Sequence, residues 1–212
     1  MVKVLYITAN PKSVENSVGH KVGQAFLKVY CQSHANDEIK EINLYEEEFP
    51  IIDRDILNGW DRMRGEGITF SELSQLEQQK INALNKFTDM VASVDKYVFV
   101  SPMWNWGTPP QLKAFIDSFL VVGKTFHYTE NGPVGHLKGK KAIHIQVSGG
   151  IYSQEPFAKM DHSHPYLKQV LNIIGINDVE VLYVEGHAFD PERADDIICK
   201  AISDAEKLAT TF

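Results

Sequence analysis

With 212 residues, a net charge of −7, 43% hydrophobic and 23% charged residues, the chain has the make-up of one soluble domain with an ordinary core. The acidic balance argues against nucleic acid and anionic membranes as main partners. No apolar run approaches the length of a membrane span and the amino terminus enters a strand directly, without a signal peptide, so a cytoplasmic protein is expected.

Cys31 and Cys199 lack CxxC or metal-ligand spacing and fall in predicted helices, which predicts reduced, buried thiols. The run Val2–Thr8 is nearly continuous in apolar residues, as expected of a strand covered on both faces. It breaks at Ala9-Asn-Pro-Lys-Ser13, and a helix is predicted from about Val18, with Ser17 as its N-cap and Val18, Val22, Ala25, Phe26 and Val29 at helical spacing. Glu38–Leu44 alternates like an edge strand. Tyr45–Ser71 shows little periodicity and is expected to be a long functional or interface loop. A long helix is predicted to start at Ser71-Glu-Leu-Ser, carrying Leu73, Leu76, Ile81, Leu84, Phe87, Met90 and Val91.

Tyr97–Val100 reads as a buried strand, followed by Ser101-Pro-Met-Trp-Asn-Trp-Gly-Thr-Pro-Pro-Gln111 and a helix to about Val122. Thr108 is the expected N-cap there, with Pro109 in the first helical position, where its missing N–H is no loss. That leaves Met103, Trp104, Asn105 and Trp106 on a strand-to-helix turn. In open parallel sheets ligands bind just beyond the carboxyl ends of strands. A platform for a flat, hydrogen-bonding aromatic ligand and simple packing of the loop on its own helix both fit this stretch.

Phe126–Gly135, with aromatic alternation around Asn131-Gly132, predicts a small hairpin. Lys141–Val147 is the fourth strand and ends in Ser148-Gly149-Gly150. A helix over Tyr166–Ile174 stops at Gly175, Val179–Val184 is the fifth strand, and Pro191 to about Leu208 is the last helix. Strands alternating with helices imply a doubly wound α/β domain with a parallel sheet of about five strands.

Three loops carry the chemistry. A helix starting after Ser17 offers free N–H groups to an anion such as phosphate, with Asn10, Asn16 and Ser17 as added donors; an ordinary capped helix is the plainer reading. Neither G-x-G-x-x-G nor G-x-x-x-x-G-K-[ST] occurs, which disfavours a Rossmann dinucleotide site and a nucleotide triphosphatase. Gly149-Gly150 allows close backbone approach to a ligand edge, though a lone Gly-Gly is as readily a tight turn. The loops after the first, third and fourth strands meet at one end of such a sheet. A phosphate seat, an aromatic wall and open backbone donors together suit a phosphorylated flat ring, for which FMN is the evident candidate.

Lys3-Val-Leu5, Pro102-Met-Trp-Asn-Trp106 with Pro110-Gln-Leu-Lys113, Gly123-Lys-Thr-Phe-His-Tyr-Thr-Glu-Asn-Gly-Pro-Val-Gly135 and Gly149-Gly150 resemble the FMN-dependent NAD(P)H quinone reductases and azoreductases. The resemblance covers essentially the whole chain and implies one flavodoxin-like FMN-binding domain over 1–212, acting as a homodimer. It implies that Asn10, Ser17, Val18 and Gly19 hold the phosphate, that Met103, Trp104, Asn105 and Trp106 line the isoalloxazine, and that Ser148, Gly149 and Gly150 meet its far edge. Phe126 and Tyr128 would stand at the substrate face, partly from across the dimer. Many members carry Arg where this chain has Ser148, and more serines in the phosphate loop.

The activity implied is two-electron ping-pong reduction of quinones, and cleavage of aromatic azo compounds to amines, with NADH or NADPH as donor. Flavin N5 carries the hydride, so no side chain is nominated as catalytic. A flavodoxin-like electron carrier is the rival reading. A hydrolase using Ser148 and His144 lacks G-x-S-x-G and an Asp placed to orient the His. Asp161-His-Ser-His164 lacks a third defined ligand and is read as a solvated loop, with no metal expected. Glu46-Glu-Glu48 is read as solvated surface, and His144 and Gln146 as hydrogen-bonded groups under the helices.

Overall fold

The structure is a computed structural model that describes residues 1–48 and 50–212. Among these described residues seven strands form, β1 Lys3–Thr8, β2 Glu38–Asn43, β3 Lys96–Pro102, β4 Phe126–Thr129, β5 Gly132–Gly135, β6 Lys141–Ser148 and β7 Asp178–Glu185. Six α-helices accompany them, α1 Val18–Ser33, α2 Arg54–Gly65, α3 Gln75–Ala92, α4 Pro110–Phe119, α5 His164–Ile173 and α6 Ala194–Thr211. Five strands make a parallel sheet in the order β2-β1-β3-β6-β7, and β4 and β5 pair as a separate antiparallel hairpin. The order reverses at β1, which places a crevice beyond the carboxyl ends of β1 and β3.

Alternation along the strands divides the core in two. Val4, Tyr6, Val98, Val100, Ile143, Ile145 and Val147 face α1 and α6, burying Val22, Phe26, Ala201 and Ala205. Leu5, Ile7, Tyr97, Phe99 and Ala142 face α3, α4 and α5. Gly23 lets α1 lie close to the sheet, since a Cβ there would fall 2.2 Å from the Tyr6 hydroxyl. The edge strands β2 and β7 are the least buried and carry Glu38, Lys40, Glu41, Asp178 and Glu180, charges that discourage further strand pairing.

Within the stretch expected to be a loop, α2 is a well-formed helix. Asp53 caps it by accepting from the N–H groups of Asp55 and Ile56, and Ile56, Gly59, Trp60 and Met63 share one face. Its polar, glycine-containing sequence hides that stripe; docking against Leu73, Ile81 and Leu84 of the next segment stabilises it. The long helix starts at Gln75, not Ser71, because Ser74 and Glu77 form the capping box, while Thr69 and Glu72 close a separate 3₁₀ turn. Arg62 reaches Glu77 at 3.2 Å and Lys80 reaches both Asp53 and Asp55, tying α2 to α3.

The helix after the tryptophans begins at Pro110, one residue later than expected, and Thr108 is not its cap. Pro109 occupies the N-cap position at φ −57°, ψ 148°, because a residue preceding proline is kept out of the helical region. Cys31 and Cys199 are free but exposed, contrary to the expectation of burial, since each lies on the solvent side of its amphipathic helix. Glu46, Glu47 and Glu48 are exposed as expected. No described helix is long and apolar enough to cross a membrane.

Candidate functional site

Three loops converge at the carboxyl end of the sheet. After β1, Ser17 caps α1 by accepting from the His20 N–H at 3.2 Å, and Asn10 Nδ2 donates to the same oxygen at 3.1 Å. His20 Nε2 lies 3.1 Å from the Asn10 carbonyl, an acceptor, so that nitrogen carries the proton. Helix geometry leaves the Val18 and Gly19 N–H groups without intrahelical acceptors. A Cβ on Gly19 would lie 3.2 Å from Val147 and 3.6 Å from Val100, which puts this helix start directly over the ends of β3 and β6. Asn16 instead turns to Ser13 at 3.1 Å on the exposed side.

After β3, the Met103 N–H donates to the Val147 carbonyl at 2.7 Å and ties the start of this loop to the end of β6. Trp104 and Gly107 exchange both backbone hydrogen bonds at 3.0 Å, with Asn105 at φ 48° and Trp106 at φ 63° between them. This is a two-residue turn of the I′ kind, which prefers Asn then Gly. Trp106 therefore sits where a side chain is strained. The indoles are 38% and 46% exposed, Trp104 being braced edge-on by Tyr45 at 6.0 Å. The His162 N–H donates to the Trp106 carbonyl at 2.8 Å and pins the strained residue from the far side.

After β6, Ser148 Oγ donates to the Gly150 carbonyl at 2.9 Å, and the Gly149 carbonyl accepts from Ala188 and Phe189. A Cβ on Gly149 would meet Ala188 at 3.0 Å. Gly149 and Gly150 thus form a thin backbone edge beside Trp106. The three groups expected at a flavin, Asn10 with Ser17, Val18 and Gly19, the Met103–Trp106 turn, and Ser148 with Gly149 and Gly150, come together.

Phe126 and Tyr128 do not join them within this chain. Their hairpin packs on the carboxyl end of α5, with the Leu137 N–H donating to the Ile174 carbonyl at 2.8 Å, and leads into the start of β6. That is the opposite end of the sheet. Phe126 is 6% exposed in the core, whereas Tyr128 is 69% exposed.

Beneath the turn lies a buried polar chain. Ser101 Oγ and His144 Nε2 are 2.9 Å apart, and His144 Nδ1 and His164 Nδ1 are 3.2 Å apart. Gln146 donates to Asp161 at 2.8 Å, and Asp161 accepts from the Ser163 and His164 N–H groups at the start of α5. Asp161 and His164 are therefore buried, which corrects their reading as a solvated loop: β6 alternation turns His144 and Gln146 toward α5, and they need partners there. Burial, with His164 adding to it, pushes the His144 imidazole down to about 3, and burial also lowers His164. Burial first and then Asp161 raise the Tyr183 phenol to about 12. His162 acts on the tryptophan turn through its backbone N–H, and Asp161 holds the same segment by accepting from Gln146 and the start of α5; the alternation of His144 and Gln146 was the sequence signal that this side needs polar partners. Ser148 and His144 do not meet, so the hydrolase pairing is absent. Among the described residues no group of three or more His, Cys, Asp or Glu is arranged for a metal.

Residues 2–209 match a family profile described as the flavodoxin-like fold. The FMN-dependent NADH:quinone oxidoreductase of Geobacillus kaustophilus is 48% identical over 212 residues, covering all of both chains. The chain belongs to this flavodoxin-like oxidoreductase family. A Bacillus subtilis relative, FMN-dependent NADH:quinone oxidoreductase 2, is 45% identical over the full length of both. Among solved structures, an azoreductase from Bacillus anthracis superposes with a TM-score of 0.92 at 34% identity, with both chains fully covered. An FMN-dependent NADH-azoreductase of the same species, in complex with FMN, gives 0.87 at 34% identity over 99% of this chain and all of its own. Family membership accounts for the strand order and for the position of the three loops at the reversal point of the sheet.

Proposed function

We propose that this chain is an FMN-dependent NADH:quinone oxidoreductase that also cleaves aromatic azo compounds, built as one FMN-binding domain over residues 1–212 and working as a homodimer. The observation that carries the reading is the convergence of a capped helix start, a strained bis-tryptophan turn and an open Gly-Gly edge at the sheet's reversal point. The donor set fits FMN: neutral N–H and hydroxyl groups at a helix start suit a phosphate, and exposed indole suits a flat ring.

When bound, FMN supplies the two-electron hydride chemistry. Val18 and Gly19 hold the phosphate through backbone N–H groups, and Asn10 fixes the Ser17 hydroxyl that caps the same turn. Met103, Trp104, Asn105 and Trp106 form the ring platform and exclude water from one face. Gly149 and Gly150 present backbone donors where negative charge develops, with Ser148 folded back on Gly150 in place of a cation. No side chain acts as nucleophile or general acid.

Tyr128 is assigned to the substrate face of the second subunit, with Phe126 as its buried support at 5.4 Å. An exposed aromatic on a hairpin remote from its own site supports a partner across the two-fold axis. The two unpaired thiols support a cytoplasmic setting. The carrier alternative is not favoured, because a walled pocket adjoins the platform. The test is the absorbance spectrum of the purified protein with FMN, followed by multiple-turnover NADH oxidation with a quinone. A protein that stays colourless sinks the proposal; one that binds FMN yet turns over no acceptor is a carrier.

A further inference from the structure

Beside the platform a cavity of about 440 Å³ opens between Trp106 and the segment that follows Gly150. Its apolar lining includes Ile151, Tyr152, Phe157, Met160 and Phe189, and Ile151, Phe157, Met160 and Phe189 are all exposed. A soluble acidic chain has no folding reason to gather so many exposed apolar side chains in one place. The volume is that of a small-molecule site.

The segment is held in place. Glu185 accepts from the Tyr152 and Ser153 N–H groups and from the Ser153 hydroxyl, and the Gly149 carbonyl holds Phe189 at 3.0 Å. The His162 N–H to the Trp106 carbonyl closes the other end, so Trp106 is at once an end of the platform and a wall of this cavity.

Charge selects further. Glu155 is the charged residue in the cavity wall, and Lys159 lies in the same segment but outside the lining. Glu185 stands behind Tyr152, Asp190 follows Phe189, and the chain carries −7 overall. At the flavin edge the residue before Gly149 is Ser148, not a cation.

From this geometry we infer that the cavity is the acceptor's second subsite, taking the non-reacting ring or chain of an uncharged, lipophilic aromatic acceptor and rejecting anionic, sulfonated ones. This rests on the flavin reading of the platform, and the experiment separates the two. FMN-loaded protein is first tested for NADH-dependent reduction of 1,4-benzoquinone, too small to need the cavity. Failure there counts against the flavin reading, whereas success isolates the subsite.

Next come 1,4-naphthoquinone and 1,2-naphthoquinone-4-sulfonate, and binding of the redox-inert 2-methylnaphthalene, read from the visible flavin band. The expected preference for the uncharged acceptor is about tenfold in kcat/KM, with Phe157→Ser and Met160→Ser each raising its KM several-fold and weakening the 2-methylnaphthalene shift. Glu155→Lys should narrow the neutral-to-sulfonate ratio by about threefold or more, as one reversed charge near an exposed site does. An unchanged ratio in all three variants, with flavin fully loaded, overturns the inference. So does conversion of a dimer to a monomer by Phe157→Ser or Met160→Ser, on size-exclusion chromatography with light scattering, since the cavity would then be a subunit contact.

Discussion

The two ends of the sheet use aromatic residues in opposite ways. At the amino end, Tyr30 and Phe212 are buried, Tyr30 donates to Asp37 at 2.8 Å, and the Lys96 ammonium reaches the Tyr30 hydroxyl at 3.0 Å. That ammonium lies 5.2 and 5.3 Å from the two ring centroids, so charge, hydroxyl and ring faces all have partners. At the carboxyl end, Trp104 and Trp106 stand half exposed on a turn whose backbone is strained. Aromatics that stabilise a fold close their contacts within the chain. The tryptophans that we propose serve a ligand leave theirs open, at a cost in stability carried by the rest of the molecule.

The contrast breaks most visibly at Tyr30. Tyr30→Ala should cost about 3–5 kcal/mol in urea denaturation, since it removes a fully buried ring together with its hydrogen bonds to Asp37 and Lys96. FMN affinity of the protein that remains folded should be unchanged. A parallel loss of flavin affinity would mean that the two ends are not independent.

Acid tests the polar chain under the platform. The His144 imidazole is pushed by burial from an ordinary 6.5 down to about 3, so between those values the folded state holds fewer protons than the unfolded one. Its contribution is fully present above pH 6.5 and is lost as pH falls through that window, at about 1.4 kcal/mol per pH unit. Melting temperature should drop steeply between pH 6 and 4.5, about 2 kcal/mol in stability, and His144→Gln should flatten that slope. An equal slope in the variant would place the acid sensitivity elsewhere.

The smallest effect has the opposite sign. Trp106→Gly relieves a positive φ at a non-glycine residue and should raise stability by about 1 kcal/mol. The same change should weaken FMN binding and quinone turnover, because the platform loses a wall. A variant that melts lower would show that the indole's contacts outweigh the backbone strain.

Legibility in the sequence followed periodicity. Val2–Thr8 and Tyr97–Val100 are nearly continuous apolar runs, Lys141–Val147 is apolar with His144 and Gln146 alternating in, and all three became the central strands to within two residues. Ser17 was legible as a cap because capping is local chemistry. By contrast, α2 escaped because Asp55, Asn58, Gly59 and Asp61 dilute its stripe, and residues beyond its end in the chain, Leu73, Ile81 and Leu84 among them, make that face a buried one. The proline boundary of α4 was legible in principle, since Pro110 bars Pro109 from the helix.

The sequence by itself determined the strand–helix alternation, the three loops that meet at one end of the sheet and, through the resemblance carried by Pro102–Trp106 and Phe126–Gly135, the family to which the chain belongs. Tertiary structure alone decided that Asp161 and His164 are buried beneath the tryptophan turn, that His162 pins Trp106, and that Tyr128 lies at the far end of the sheet from the tryptophan turn of its own chain. Local pattern encodes which way a side chain faces along one element. What it faces depends on elements tens of residues away, and those contacts exist only once the chain has closed upon itself.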